Sequence, residues 1–414
     1  MLKDEKMKIY QVGGCVRDEI LGSPPHDIDH LVVGGTVEAM LAKGFKQVGK
    51  DFPVFLHPET QDEYALARKE VKTGDKHTDF AFIFTPDITL AEDMQRRDFT
   101  INALAKDTET GEIVDTVGGL KDLQQKVIRH VNSQHFGEDP LRVLRMCRFA
   151  AKLDFAIAPE TMQLAKDMVN ADMLSHLTPE RIWKEIEKAL ETPHFEKFIR
   201  VARECGALKV ILPEVDKLWD TPEKVQYHPE GNSGEHTMLV IRNGEHLPPR
   251  VKFALLLHDI GKTSTPHNIL PAHHEHDVRG MLTIEKICRR LPVPNEFKKV
   301  AILGCQHHMK MTLFPQMRNG KKLDFVSAIS LSFKDKDMMN DILEICRCDM
   351  LGRAKTISKE EIDSFDKIVK LCADIFEKAK DIHATDMPKF NELPKNADFS
   401  ALYRDFRINR IFGK

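Results

Sequence analysis

The sequence predicts an α/β head built on a small sheet, then a mostly α-helical body and a second, histidine-rich helical unit. Three observations predict it. Apolar periodicity switches repeatedly over the first ~105 residues, as alternating short elements require. Strand signals fade after about Pro140, and helical spacing replaces them. Ten of the 19 histidines then fall between His228 and His308, about a fifth of the chain. At 414 residues roughly two to four compact units are expected. Hydrophobic residues at 42% and charged residues at 30% exclude a disordered or collagen-like chain.

In the head, residues 8–12 read as a strand, Gly13-Gly14 as a turn, and residues 16–21 as a short helix ended by Gly22. After the Ser23-Pro24-Pro25 breaker, residues 28–33 form an apolar strand; residues 36–43 are helical, and 54–56, 64–67 and 80–84 are strands. Beyond Pro140, residues 141–153, 159–174, 178–191 and 195–205 carry helical spacing, several opened by proline in the first turn. Thr178-Pro179-Glu180 and Ser358-Lys359-Glu360-Glu361 are capped helix starts. The closing stretch, residues 391–414, is basic and aromatic and is expected to pack on the surface.

No apolar stretch approaches the ~18 residues of a membrane span, and the charged opening MLKDEKMKIYQV lacks the apolar run expected of a secretory signal. Eight scattered cysteines without a CxxC pair suit reduced thiols in the cytoplasm. A net charge of −3 means that any nucleic-acid contact must come from a local basic patch.

Chemistry concentrates in a few motifs. Gly13-Gly14 lies between strand and helix, where backbone N–H groups approach phosphate oxygens, and Arg17 sits in the first helical turn. Asp27 and Asp29 are two apart on the predicted strand, so both carboxylates share a face; magnesium, which takes a few carboxylates plus substrate phosphates, would relieve their repulsion. With Arg96-Arg97-Asp98 downstream, the set fits metal-assisted nucleotidyl transfer, Arg97 offsetting charge on a triphosphate. Glu63 and Glu70 are candidates for a supplementary carboxylate.

Arg142, Arg145 and Arg148 recur every third residue on one helical face, where an anion or a base edge is the partner to expect. Asp139 beside Arg142 is a more specific pair. A carboxylate accepts from an exocyclic amine and a guanidinium donates to the adjacent ring nitrogen, an edge that cytosine and adenine share and uracil and guanine lack. Farther on, His258-Asp259 ends an apolar helix in LLLHDIGK, and imidazole with carboxylate suits a divalent metal.

The stretches MKIYQVGGCVRDEILG, HDIDHLVVG, QVGKDFPVFLHPETQDEYALAR, RRDFTINALA, FGEDPLRVLRMCRFAA and HLTPERIWKE resemble the bacterial CCA-adding enzymes, the class II tRNA nucleotidyltransferases, in their long form with a C-terminal HD domain. They cover most of residues 7–190; the HD portion matches more loosely and the tail hardly at all. The resemblance implies a small mixed sheet of the nucleotidyltransferase type in the head (residues 1–138), a helical neck and body binding the base and tRNA (139–225), a helical HD phosphohydrolase domain (226–350) and a helical tail (351–414). It implies completion of the tRNA 3′ end from CTP and ATP without a nucleic-acid template, releasing pyrophosphate.

By motif match, Asp27 and Asp29 bind Mg²⁺ and are catalytic, Gly14, Arg17, Arg97, Arg145 and Arg148 form the nucleotide site, and Asp139 and Arg142 read the base. Bacterial poly(A) polymerases share the head motifs and are the alternative; their basic FxLxHV stretch is replaced here by GKDFPVFLHP. For the HD domain the resemblance implies His236, His258, Asp259 and Asp349 as metal ligands, His258 and Asp259 being catalytic, with nickel or another transition metal. It also implies 2′,3′-cyclic phosphodiesterase, 2′-nucleotidase and phosphatase activities. Relatives often carry a second His-Asp where this chain has His307-His308, so the number of metals stays open; His273, His274 and His276 are further candidates to line the site. Expected partners are the tRNA 3′ end, ATP and CTP, with no membrane, in a monomer or homodimer.

Overall fold

A computed structural model of the protein describes residues 7–24, 27–48, 54–72, 80–226, 228–354, 357–388, 390 and 398–413. The chain divides into two units, one of residues 1–177 and 200–207, the other of residues 178–199 and 208–414.

The first unit begins with β1 (Lys8–Val12), α1 (Gly14–Ile20), β2 (His30–Val33), α2 (Val37–Ala42), β3 (Lys46–Gln47), β4 (Val54–Leu56) and β5 (Glu63–Leu66). A hairpin of β6 (Lys69–Lys72) and β7 (Phe80–Ile83) follows, then α3 (Leu90–Gln95), β8 (Leu104–Asp107) and β9 (Ile113–Asp115). Seven strands form a mixed sheet in the order β3-β4-β5-β2-β1-β8-β9, in which β2 and β5 are the parallel pair. Leu31 packs into one apolar cluster with Tyr10, Val12 and Met94, while its neighbour Val32 packs into another with Met40, Phe55 and Leu66. Both faces of β2 are therefore covered, which is why it reads as a continuous apolar run rather than an alternating one.

Next come α4 (Gly119–Gln125), β10 (Val127–Ile128), α5 (Ser133–Glu138), α6 (Leu141–Leu153), β11 (Ala156–Ile157) and α7 (Pro159–Asn170). The spacing-predicted helix over residues 141–153 matches α6 in both bounds. The one over 159–174 is shorter: α7 stops at Asn170, Asp172 turns left-handed at φ 57°, and a separate 3₁₀ turn covers Met173–His176. The strand expected over 28–33 begins only at His30. Ile28 is exposed, so its apolar side chain extended the pattern without extending the ladder.

The second unit is helical. It starts with α8 (Pro179–Leu190), capped by Thr178, and includes the start of α9 (Phe195–Glu204). There follow α10 (Ala207–Ile211), α11 (Pro213–Asp216), α12 (Ser233–Asn243), α13 (Pro249–Leu257), α14 (His276–Arg290), α15 (Asn295–His307), α16 (Lys310–Leu313), α17 (Asn319–Ile329), α18 (Lys336–Leu351), α19 (Lys359–Lys380) and α20 (Phe399–Phe412). Every residue of α13 from Val251 to Leu257 is buried, the signature of a helix surrounded by others. Ser358 and Glu361 form the expected capping box on α19. The basic tail packs as α20, where Arg404 meets Asp324 at 2.8 and 3.0 Å. Among the described residues no helix is long and apolar enough to cross a membrane.

Candidate functional sites

The sheet of the first unit sets the first site. Val12 N–H donates to the Asp29 carbonyl at 3.0 Å and Gly13 N–H to that of Leu104 at 3.0 Å, so the β1–α1 turn sits between those two segments. Gly13 has φ 81°, a conformation that favours glycine, and a Cβ there would lie 3.1 Å from Arg97 Nη1, so that guanidinium would have to shift slightly. Gly14 opens α1. Asp27 and Asp29 lie in the exposed entry to β2 rather than along the strand expected to carry them, which begins only at His30.

The parallel register His30↔Tyr64 brings Glu63 level with Asp29 on the neighbouring strand. A cavity of about 190 Å³ is lined there by Asp29, His30, Glu63, Arg68, Arg96 and Arg97. Desolvation lifts the Asp29 carboxyl above its ordinary range; Arg97 opposes the rise, while Glu63 and Asp27 add to it. Desolvation, more than the neighbouring acids, sets the direction of the shift. The side chain of Glu70, the other supplementary candidate, lies outside the described residues.

Asp93, fully buried and not singled out in the sequence, anchors the arginines. It accepts from Arg96 Nε at 3.0 Å, from Arg97 Nη2 at 3.4 Å and from the Arg68 N–H at 3.2 Å. Its signal was the i, i+3 and i, i+4 spacing to Arg96 and Arg97 across the end of α3. Arg17 is buried, paired with Asp18 at 2.7 Å and hydrogen-bonded to the Asn102 side-chain carbonyl. Asn102 donates to Asp98 at 3.1 Å, and Asp98 takes a two-pronged bond from Arg145 at 2.8 and 2.6 Å. Burial would raise the Asp98 carboxyl, but Arg145 and Asn102 outweigh it and hold it below the usual range. Arg17, Arg145 and Arg148 all gather over the Phe149 ring, at 5.3, 5.5 and 4.4 Å. At the start of α6, Asp139 accepts from the Leu141 N–H at 3.0 Å and Arg142 donates to the Arg96 carbonyl at 2.7 Å. Arg142 thus ties the start of α6 to the segment that carries Arg96 and Arg97.

The second site is built where α12, α13, α14, α15 and α18 converge. The buried α13 delivers His258 and Asp259 at its C-terminal end; His236 comes from the first turn of α12 and Asp349 from the last turns of α18. His236 Nε2 lies 3.0 Å from Asp349 and 3.7 Å from Asp259; His258 Nε2 lies 3.2 Å from Asp259 and 3.9 Å from Asp349. All four are buried, and His258 Nε2 and Asp259 Oδ1 have no hydrogen-bond partner. Leaving such atoms unpaired is costly, and a divalent cation would satisfy them. The four expected residues therefore fit a metal.

Their surroundings orient them. His236 Nδ1 is held by Glu230 at 3.0 Å and His258 Nδ1 by the Leu255 carbonyl at 2.7 Å. Lys262 bridges Asp259 at 2.8 Å and Glu223 at 2.7 Å. Burial opposes protonation of His236, yet Asp349 and Glu230 raise its pKa to about 9; burial also opposes ionisation of Glu230, whose pKa is nonetheless lowered to about 2 by His236 and His228. Glu230 was not singled out in the sequence, because nothing in its spacing distinguishes it from other loop carboxylates. Of the remaining histidines, His276 and His308 reach Asp259, at 3.4 and 3.3 Å. His273 is taken up by Thr265 and the Pro222 carbonyl, His274 is exposed, and His307 sets its ring against Phe325.

Known proteins share these parts. Residues 9–129 match the poly A polymerase head domain, residues 154–218 the family described as "Probable RNA and SrmB- binding site of polymerase A", and residues 234–372 the HD domain. The structure of the Bacillus stearothermophilus CCA-adding enzyme in complex with CTP is 21% identical with a TM-score of 0.65, over 100% of this chain and 90% of that one. The Thermotoga maritima CCA-adding enzyme complexed with tRNA is 19% identical with a TM-score of 0.62, over 99% and 88%. A CCA-adding enzyme bound to ATP is 20% identical with a TM-score of 0.60, over 99% and 86%. These likenesses establish a common fold along the whole chain.

Proposed function

We propose that this chain, which joins a poly A polymerase head domain, an RNA-binding segment and an HD domain in the fold of the CCA-adding enzymes, completes the 3′-terminal CCA of tRNA from CTP and ATP without a nucleic-acid template. The observation that carries the proposal is the cavity in which Asp29 and Glu63 face Arg97 at the end of the parallel pair of strands. Asp27 and Asp29, with Glu63 beside them, would hold Mg²⁺, which when bound supplies Lewis acidity to the phosphates and to the attacking hydroxyl. Arg97 offsets charge on the triphosphate, and Asp93 keeps its guanidinium turned to that task. Gly13 and Gly14 let the backbone come close to the phosphates, while Arg17, Arg145 and Arg148 are set around Phe149 as one basic group.

Base choice rests on Asp139 and Arg142. A carboxylate beside a guanidinium complements the amine-plus-acceptor edge of cytosine and adenine; uracil or guanine would turn a carbonyl oxygen toward Asp139, costing about 1–3 kcal/mol per lost bond.

The HD domain, with residues 226–350 as its expected extent, acts in the same reading as a phosphohydrolase toward RNA ends: 2′,3′-cyclic phosphodiesterase, 2′-nucleotidase and phosphatase. His236, His258, Asp259 and Asp349 hold a transition metal, nickel being the expected one, since imidazole favours such ions over magnesium. Removing a terminal phosphate would expose the hydroxyl that the head extends, so both chemistries serve one RNA end. Eight cysteines that form no disulfide suit the reducing cytoplasm in which tRNA is matured.

The test is a tRNA transcript lacking its CCA, incubated with Mg²⁺, CTP and ATP, whose 3′ ends are then sequenced beside those from an Asp27→Ala, Asp29→Ala control. Addition of C, C and A, lost in the control, is the expected result. A long adenosine tract would reassign the chain to poly(A) polymerase chemistry, and no addition by folded protein would refute the head's proposed activity.

A further inference from the structure

Three cations crowd one ring in the first unit. Arg17 comes from α1, while Arg145 and Arg148 precede Phe149 on α6, the first by one helical turn and the second by one residue. Their guanidinium carbons stand 5.3, 5.5 and 4.4 Å from the centroid of the Phe149 ring. That ring is only 6% exposed, too little to serve as a stacking surface for a base. Phe99 meets it edge to face, with centroids 5.6 Å apart and planes at 77°, and Phe99 meets Phe136 at 5.7 Å in turn. Both of those rings are fully buried, so the orientation of Phe149 is set by the core behind it.

Arg17 is answered by Asp18 at 2.7 Å and Arg145 by Asp98 at 2.6 Å. Those ion pairs anchor the two guanidiniums, but groups of one charge drawn to one place still repel, and more strongly where water is excluded. The face of an aromatic ring carries negative potential and attracts cations within about 6 Å of its centroid. An aliphatic side chain of similar bulk would support the arginine stems equally well and offer no such potential. The ring is therefore suited to hold the arginines together as well as to fill space.

We propose that Phe149 is a positioning residue for nucleotide binding, its ring face holding Arg17, Arg145 and Arg148 in one cluster that meets an incoming triphosphate as a unit. The inference rests on the reading of those three arginines as part of the nucleotide site, and the test separates the two.

Full-length protein is made with phenylalanines carrying one, two or three ring fluorines at position 149 and assayed on a tRNA transcript lacking its CCA. Fluorine withdraws electron density from the ring face and hardly alters its shape. KM for CTP and for ATP should rise with each fluorine, by about tenfold over the series. The kcat should stay unchanged, as when binding is lost equally from the ground and transition states. Phe149→Leu, which keeps an apolar filling, should raise KM at least as far as the most fluorinated ring. Melting temperatures are read beside the kinetics. A KM indifferent to fluorine content in active protein, or one that follows the melting temperature instead, would overturn the role of Phe149 and leave the nucleotide site standing. No addition by protein with an unaltered Phe149 would overturn both.

Discussion

The two candidate sites solve the same electrostatic problem in opposite ways. In the head, Asp27 and Asp29 are exposed at a strand entry, and the Asp29 carboxyl is pushed up by desolvation and by its acidic neighbours. In the HD domain, His236 and His258 each lie within 4 Å of Asp259 and of Asp349 in the interior, each histidine held from behind. An open site can leave part of its charge balance to a substrate that arrives with phosphates and ions. A buried one must carry its balance in the fold, through Lys262, Glu230 and Glu223. The difference teaches that the head leaves its carboxylates open to solvent, whereas the HD site holds its histidines and carboxylates in the interior.

The largest test of that division is functional separation. Asp27→Ala with Asp29→Ala should lower nucleotide addition by at least about a thousandfold, roughly 4 kcal/mol of transition-state stabilisation, and leave cyclic phosphate hydrolysis unchanged. Asp259→Ala should do the reverse. A folded variant that lost both activities would break the comparison.

Glu230→Gln sharpens it next. The amide keeps the shape but weakens the hold on His236 Nδ1, and second-layer partners of this kind are worth about 10- to 100-fold in metal affinity. Calorimetric titration with Ni²⁺ should show that loss, and an unchanged affinity would mean the site is not organised from behind. On the head side, Asp139→Ala or Arg142→Ala should relax rejection of UTP and GTP by roughly 10- to 100-fold, read from incorporation by single-nucleotide extension; undiminished rejection would remove these residues from base choice.

The smallest effect concerns Asp98. Asp98→Asn should cost about 2 kcal/mol of stability, as expected for hydrogen bonds to charged groups. Its folded pKa lies below the ordinary 3.8, so the stabilisation is complete above the unfolded value and fades as pH falls through the folded one. Denaturant melts of the two proteins should therefore differ at neutral pH and converge in strong acid. A constant gap would show that the Asp98 charge is not what matters.

Much of this was legible in the chain. The bounds of β1 and α6 follow from apolar spacing alone, because both elements bury a regular stripe. What spacing could not supply was register. Glu63 meets Asp29 only through the parallel pairing of β5 with β2, and nothing local in either segment encodes which rung faces which. Histidine roles were hidden for a related reason. His307 and His308 are adjacent, yet α15 turns one toward Phe325 and the other toward Asp259, a choice made by the packing of neighbouring helices. Ile28 misled in the opposite direction, since an exposed apolar residue looks like a strand residue until its surface is seen.

The relay from Arg17 through Asn102 and Asp98 to Arg145 has a consequence for how the chain is made. Arg17 meets Asn102 across 85 positions and Arg145 meets Asp98 across 47, so both links are long-range and form late. While the protein emerges from the ribosome, the head sheet can pair before α6 exists, but its buried Asp98 lacks the two-pronged bond of Arg145 until residue 145 is out. Cutting the chain anywhere before Arg145 should leave it there, with a sheet already paired and an aspartate still waiting.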